Sequence, residues 1–205
     1  AIDARVDKIY QPSREEIVMV LRYRGGSVKL LLSASASSPR VHFTTIALEN
    51  PKSPPMFCML LRKHLNSAKL VKVRQLRHDR ILFLDFETVN ELKDLVTITV
   101  AVEIMGRHSN IIIISQDGKI IDAIKRVTDE MSSVRTVLPG MTYTLPPAQD
   151  KLDLFESSKE EAQEAFKQLK NQDFSKSIMQ VYQGISQILS REIAYYATGG
   201  LDLMK

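Results

Sequence analysis

The chain has 205 residues and a formal net charge of +4, with 44% hydrophobic and 25% charged residues, a composition that excludes a disordered or collagen-like protein. Its one cysteine excludes an internal disulfide framework and fits a reducing compartment, and no apolar run reaches the roughly 18 to 20 residues that a membrane span needs. The start lacks an initiator Met and the pattern of a signal peptide, and the end has no polar tail, so we expect an excised part of a longer protein.

Short β-strand patterns dominate residues 5–127. The hairpin turn Gly25-Gly26 separates two predicted strands, and Asp117-Gly118 marks another hairpin. Strands are predicted at 16–24, 27–33, 40–44, 70–76, 80–88, 95–104, 110–115 and 119–126. About eight short strands with this spacing favour a β-sandwich or a barrel, and about 150 residues suffice for its core.

One helix is predicted within this region, at residues 53–65. Ser53 is a candidate cap, and Pro54-Pro55 fits the first turn, where a missing N–H costs nothing. Met56 and Met59 recur at helical spacing and are interpreted as core residues. Cys58 lies on the apolar face of the same helix, so we expect a packed thiol rather than a nucleophile.

A composition shift at residues 145–150 predicts a linker between a β domain at 1–147 and a helical domain at 148–205. Helices are predicted from 157 or 158 to 171, from 174 to 182, and from Ser186 to a stop at Gly199-Gly200. The turn that contains Gly184 and Ser186 resembles that of a helix-hairpin-helix, whose backbone N–H groups can bind a phosphate. An ordinary helical hairpin fits these residues at least as well.

Basic residues concentrate between positions 62 and 80, where seven Lys and Arg side chains are opposed by Asp79 alone. The seven are Arg62, Lys63, Lys69, Lys72, Arg74, Arg77 and Arg80. Such a density of positive charge attracts phosphate and favours binding to nucleic acid. The alternative is a solvated sheet edge, where Lys and Arg prevent edge-to-edge pairing of strands.

Signatures of enzymes and metal sites are absent from the sequence. It contains no phosphate-binding glycine loop, no Gly-x-Ser-x-Gly elbow and no His-Glu-x-x-His, and its four histidines lack metal-ligand spacing. We therefore predict no catalytic residue, no metal and no cofactor.

Two polar segments interrupt the predicted strands. His78-Asp79-Arg80 lies between two of them, where Asp79 could orient the Arg80 guanidinium towards a phosphate or a guanine edge. The other segment follows Gly106, at a loop tip of the kind that often carries binding residues, and consists of Arg107, His108, Ser109 and Asn110. From these residues alone, a plain turn and a binding site remain equally open for each segment.

Seven blocks of residues follow one another in order along nearly the whole chain, at 5–12, 29–34, 54–64, 79–80, 103–112, 137–140 and 145–147. Together they resemble the NFACT-N domain of the RqcH and NEMF family of ribosome quality-control factors, whose bacterial members are also called fibronectin-binding proteins of the FbpA type. The resemblance implies an α+β fold similar to the Fpg/MutM DNA glycosylases: an antiparallel β-sandwich with one inserted helix, then a small helix-hairpin-helix domain. It also implies that the family's opening segment precedes Ala1 and that a coiled coil and an RNA-binding domain follow.

The resemblance further implies non-enzymatic work on RNA in the cytoplasm. Family members bind a large ribosomal subunit obstructed by peptidyl-tRNA and recruit aminoacylated tRNA, alanyl-tRNA in bacteria, for template-free tailing of the stalled chain. The residues that match the family's two signature segments are expected to contact tRNA: Asp79, Arg80, Arg107, His108, Ser109 and Asn110. Weaker contacts with the RNA backbone are expected from Arg62, Lys63, Lys69, Lys72, Arg74, Arg77, Gly184 and Ser186.

Two other functions are weighed against this one. Glycosylase activity would need an amino-terminal proline amine and a zinc finger, whereas this chain begins Ala1-Ile2-Asp3 and has one cysteine. A surface adhesin that binds fibronectin is the interaction alternative, which the absence of a signal peptide does not favour.

Overall fold

The computed structural model describes residues 2–76, 79–147, 150–169 and 173–200. It divides into two compact units, Ala1–Pro146 and Pro147–Lys205. Among the described residues, no helix is long and apolar enough to cross a membrane.

The described residues of the first unit form nine strands and one α-helix. The strands are β1 (Arg5–Ser13), β2 (Glu16–Tyr23), β3 (Gly26–Ser33), β4 (Arg40–Thr44), β5 (Lys69–Gln75), β6 (Ile81–Val89), β7 (Leu95–Glu103), β8 (Asn110–Ile114) and β9 (Ile120–Ala123), and the helix is α1 (Met56–Leu65). All nine strands belong to one antiparallel sheet in the order β4-β3-β2-β1-β5-β6-β7-β8-β9. Together with the helices of the second unit, this sheet confirms the predicted α+β class.

The sheet has two halves that meet where Arg5 of β1 pairs with Lys69 of β5, with backbone hydrogen bonds such as Leu70 N–H to the Ala4 carbonyl, at 2.9 Å, on either side. Buried side chains of both halves and of α1 nevertheless form one hydrophobic core, which includes Ile9, Leu21, Leu32, Phe57, Leu61, Phe86, Val100 and Ile113. Full burial of such a side chain stabilises the fold by about 1.5–3 kcal/mol. A smaller cluster, formed by side chains of β6, β7, β8 and β9 with Val137, packs against Tyr143. The strands that carry the predicted polar segments therefore have a rigid support.

Helix α1 differs from its prediction in two respects. It begins at Met56 after Pro55, which provides no side-chain cap, so the prediction that Ser53 caps it is wrong. Met56 and Met59 are 73% and 53% exposed, so their interpretation as core is also wrong. The buried face of α1 is formed by other residues, namely Phe57, Cys58, Leu61 and Leu65.

Cys58 is fully buried in this face, and its thiol lies 3.6 Å from the carbonyl oxygen of Ile9. Burial raises the pKa of the thiol, an effect that the nearby Arg62 charge opposes. The group therefore stays protonated and packs as a small apolar side chain.

In the part of the second unit that the structure describes there are three helices, α2 (Lys159–Lys167), α3 (Phe174–Val181) and α4 (Gln187–Ala197). Ser158 and Glu161 form a capping box at the start of α2, in which the side chain of each accepts a hydrogen bond from the backbone N–H of the other. The ring of Phe166 lies 5.8 Å from that of Phe174 and 6.1 Å from that of Tyr182, measured between centroids, which packs α2 against α3. A short turn then joins α3 to α4.

Candidate nucleic-acid interface

The two predicted polar segments lie side by side at one end of the sheet. Ile81, the first residue of β6, pairs with Glu103, the last residue of β7, and Glu103 pairs with Asn110, the first residue of β8. The backbone N–H of Ile104 donates to the carbonyl oxygen of Arg80 at 2.8 Å. Because these three strands end together, the turn before β6 and the connection between β7 and β8 form one surface.

The turn before β6 is held by hydrogen bonds to Asp79. Its carboxylate accepts from the backbone N–H of Arg80 at 2.7 Å, its own N–H donates to Leu76 at 2.8 Å, and its carbonyl accepts from the Gln75 side chain at 2.9 Å. The carboxylate therefore fixes the backbone of the turn, whereas the sequence predicted that it would orient the guanidinium. His78 and Arg77 lie outside the described residues.

The Arg80 side chain is exposed, and within the part of the chain that the structure describes, its guanidinium has no ion-pair or hydrogen-bond partner. A guanidinium carries five N–H donors in a rigid planar fork and remains charged at any physiological pH. Arg80 therefore presents an unused cationic donor at the surface of this turn.

The β7–β8 connection contains one turn of 3-10 helix, Gly106–His108. Gly106 has a φ of +56°, a left-handed conformation that glycine adopts without steric cost. The turn projects Arg107 and His108 to the surface, where the Nε of Arg107 donates to the Nε2 of His108 at 3.0 Å. The side chain of His108 thus orients that of Arg107 and leaves the other guanidinium nitrogens available.

Ser109 and Asn110 follow the same turn but lie in the interior, at 0% and 3% exposed. The Ser109 hydroxyl accepts from the N–H of Met105 at 2.8 Å. The Asn110 side chain accepts from the N–H groups of Ile111 and Lys125 at 2.9 and 3.1 Å and donates to the carbonyl of Lys125 at 2.8 Å. Both side chains are used in building the loop, so the prediction that they contact tRNA directly is replaced by a supporting role.

A buried ionic network beside the interface was missed from the sequence. Glu103 is 1% exposed and accepts both arms of the Arg135 guanidinium at 2.8 and 2.9 Å and the Tyr143 hydroxyl at 2.9 Å. Arg135 also stacks over the Tyr143 ring, 5.1 Å from its centroid. Burial and the Glu103 carboxylate raise the pKa of Tyr143, which therefore stays a neutral donor. The only sequence signal was a carboxylate at the end of an apolar strand, and its partners lie 32 and 40 residues away.

The basic residues of α1 lie away from this interface. Arg62 donates to the carbonyl of Ile9 at 2.8 Å and is half-buried. Lys63 pairs at 3.2 Å with Glu91, which follows the far end of β6. A strand of nine residues spans about 30 Å, so Lys63 and Arg80 mark opposite ends of the sheet. The basic stretch of the sequence therefore does not form a single patch.

The basic residues of β5 lie on a strand between β1 and β6 and differ in their contacts. Lys69 pairs with Asp3 at 2.6 Å, near the end that contacts β1. Arg74 is bound to Asp85 through two hydrogen bonds of 2.7 and 2.8 Å, whereas Lys72 is exposed. Arg74 is thus mainly a structural residue, and Lys72 is the more available cation of this strand.

Gly184 and Ser186 lie in the α3–α4 turn of the second unit. Gly184 has a φ of +73°, and the Ser186 hydroxyl caps α4 by accepting from the N–H of Leu189 at 3.2 Å. The Ser186 hydroxyl thus forms the predicted helix cap, while the phosphate contact predicted for the backbone N–H groups of this turn stays a prediction. Among the described residues, no group of three or more His, Cys, Asp or Glu side chains could hold a metal ion.

The sequence model of the NFACT N-terminal and middle domains matches residues 1–203. The chain belongs to this NFACT family. The resemblance inferred from the seven blocks is thereby confirmed.

Two similar proteins illustrate this membership. The Rqc2 homolog RqcH of Bacillus subtilis (strain 168) is 42% identical over 196 residues, which cover 94% of this chain and 34% of that protein. The ribosome quality control complex subunit NEMF of Homo sapiens is 28% identical over 131 residues, or 64% of this chain and 11% of that protein. The chain thus spans about a third of the length of the bacterial relative.

A solved structure gives the same fold. The N-terminal domain of fibronectin-binding protein PavA from Streptococcus pneumoniae matches with a TM-score of 0.84 at 33% sequence identity. The match covers 97% of this chain and 74% of that chain. Both the sheet and the helices therefore belong to an architecture already observed in a solved structure.

Proposed function

We propose that this chain is the RNA-binding portion of a cytoplasmic, ribosome-associated quality-control factor. In this proposal the whole protein binds the obstructed large ribosomal subunit and recruits tRNA, alanyl-tRNA in bacteria, for template-free tailing of the stalled chain. Its role is positioning rather than catalysis. Membership in the NFACT family supports the proposal, as does the human relative, which is described as a ribosome quality control complex subunit.

The observation that carries the proposal is the common surface formed by the turn at Asp79-Arg80 and the 3-10 turn Gly106–His108. Each turn exposes one guanidinium, Arg80 and Arg107, on backbone that is fixed by the sheet and by Asp79 and Asn110. Two rigidly held guanidinium groups suit folded RNA, because each can fork onto a phosphate or onto a guanine edge. Unpaired bases in an RNA loop expose these edges, which makes a tRNA loop a suitable ligand.

The second unit adds a weaker contact in this proposal. The α3–α4 turn, with Gly184 in a left-handed conformation and Ser186 as a helix cap, would act as a helix-hairpin-helix turn towards an RNA phosphate. The overall relationship to the Fpg/MutM fold belongs to the same proposal.

Substitution of the exposed guanidinium tests the function. In the full-length protein, Arg80→Ala should abolish tailing and weaken tRNA binding by a factor of about 5 to 150, because the lost contact is a charge-assisted one worth about 1–3 kcal/mol. Asp79→Ala should have a similar effect, because the turn loses the acceptor that fixes it. Arg24→Ala is the matched control, since Arg24 is exposed in the β2–β3 turn. Tailing that persists in both variants, with circular dichroism showing an intact fold, would refute the proposal.

Fibronectin binding is the second candidate, because the solved relative from Streptococcus pneumoniae is described as a fibronectin-binding protein. Purified chain can be tested directly for binding to immobilised fibronectin. Fractionation of cells separates the two functions, since a quality-control factor is found with ribosomal subunits and an adhesin with the cell surface.

A further inference from the structure

The loop between β3 and β4, residues 34–39, lies against the 3-10 turn that carries Arg107. A Cβ atom built on Gly106 would lie 4.0 Å from the carbonyl oxygen of Ala36. Just after β9, the Lys125 ammonium donates to the carbonyl of Ala34 at 2.6 Å. The first half of the sheet therefore reaches the candidate interface, although its strands are distant from β6 in the strand order.

Both ends of this loop are fixed. At its start, Lys125 holds Ala34 and also pairs with Glu15 at 2.7 Å, while the backbone of Lys125 is clamped by the Asn110 side chain. At its end, Arg40 donates to the carbonyl of Ser38 at 2.7 Å and pairs with Glu16 at 3.2 Å. The loop is therefore a preorganised surface rather than a free segment, so a ligand would pay little ordering entropy there.

The exposed part of the loop offers hydroxyl donors and no negative charge. Residues 36–38 are exposed, and no Asp or Glu occurs between Glu16 and Glu49 in the sequence. The Ser38 hydroxyl oxygen accepts from the Arg40 guanidinium at 3.2 Å, which leaves its proton free to be donated outwards. Acceptance from a cation polarises this hydroxyl, and Ser side chains are among the groups that bind nucleic-acid phosphates.

We propose that Ser38, supported by Arg40, donates a hydrogen bond to a phosphate of the same RNA that Arg107 contacts. The interface then extends from the β5–β6 turn across Gly106–His108 to the β3–β4 loop. This inference rests on the proposed function, because it assigns a further contact to the same RNA. The ligand of Ser38 in this proposal is the RNA backbone and not a base. A hydrogen bond to a phosphate positions the RNA on the protein but does not select its sequence.

The test measures the affinity of the full-length protein for purified tRNA. Ser38→Asp places a negative charge against the phosphate and should weaken binding by about fivefold or more, whereas Ser38→Ala, which removes one hydrogen bond, should weaken it about two- to fivefold. Ser38→Ala should leave the salt dependence of binding unchanged, because a neutral donor releases no counterion. Ser27→Asp is the matched control, since Ser27 is exposed at the opposite end of the same hairpin and should change the affinity by less than about twofold.

Each outcome decides between the two levels of the proposal. Equal effects of Ser38→Asp and Ser27→Asp would overturn the contact assigned to Ser38, while a loss in Arg80→Ala measured in parallel would keep the proposed function. Wild-type protein that fails to bind tRNA would overturn both. Melting temperatures of the Ser38 variants equal to that of the wild type would exclude a folding defect as the cause.

Discussion

Asn110 satisfies three backbone groups with one side chain. Its amide oxygen accepts from the N–H groups of Ile111 and Lys125, and its amide nitrogen donates to the carbonyl of Lys125. This places the end of the 3-10 turn in a fixed relation to the segment after β9. The residue thereby connects the surface that carries Arg107 to Lys125, which in turn holds the β3–β4 loop at Ala34.

Removal of this amide should be costly to the fold. Asn110→Ala removes the side-chain partner of one buried and two partly buried backbone groups, so we expect the free energy of unfolding to fall by about 2–4 kcal/mol. Urea denaturation followed by circular dichroism measures the change. Asn50→Ala, at an exposed position, should change the stability by less than about 0.5 kcal/mol. A loss at Asn110 no larger than that at Asn50 would contradict the supporting role.

The residues of the interface show what sequence alone can assign. The sequence predicted four surface groups that are exposed in the structure: Asp79, Arg80, Arg107 and His108. Charged side chains at turns between apolar strands stay in solvent, because their burial without a partner is costly. Asn110 has the same polar character and the same loop context, yet its partner is backbone 15 residues away. Burial of such an amide depends on a tertiary contact that no local pattern records.

Strand β5 carries an ionic contact that stabilises the sheet rather than a ligand. Burial raises the pKa of Asp85, but the hydrogen bonds from Arg74 and Thr99 outweigh it, so the pKa lies below the usual value of 3.8. A carboxyl whose pKa is lower in the folded state than in the unfolded state stabilises the fold above its unfolded pKa. That contribution is lost as the pH falls from about 4 through the lowered value.

Arg74→Met should therefore destabilise the protein in a pH-dependent way. At pH 7 the variant leaves Asp85 charged, buried and without its arginine partner, which should cost about 1–3 kcal/mol. This cost is below that of breaking a fully buried pair, because the Arg74 side chain is partly exposed. At pH 3 the gap between the variant and the wild type should narrow, because protonation relieves the unpaired charge. Urea unfolding at both pH values measures this, with the exposed Lys52→Met as control. A gap that is constant with pH would show that Asp85 is not the cause.

The elements themselves were easier to predict than their faces and ends. The hairpins and the second-unit helices follow from turn and cap residues, since Gly25-Gly26, Asp117-Gly118, Ser158 and Ser186 act locally. The separate strand β1 was not predicted, because Pro12 and two register shifts break its alternation. The exposed face of α1 was misassigned because Met is apolar enough for a core and flexible enough for a surface.

At the scale of the first unit, the arrangement of charge decides which cations can act on RNA. The sequence concentrates seven basic residues within nineteen positions, but the fold distributes the described ones over helix α1, strand β5 and the turn before β6. Lys63 is paired with Glu91 about 30 Å from the turn at Arg80. The separation of Lys63 from Arg80 could not be predicted from their closeness in the sequence, since strand β5 lies between α1 and the turn at Arg80.

This separation makes a quantitative prediction about salt dependence. At about 0.1 M salt, electrostatic interactions are screened beyond roughly 10 Å, so Lys63→Glu should change the affinity for tRNA less than about twofold. Arg107→Glu acts at the interface and should weaken binding more than about tenfold and reduce the salt slope by about one. Lys72→Glu, part of the way along β5, should lie between the two. Titration of full-length protein with tRNA at several salt concentrations measures all three slopes. An effect of Lys63→Glu as large as that of Arg107→Glu would mean that RNA covers the whole length of the sheet, because only direct contact could act at that distance.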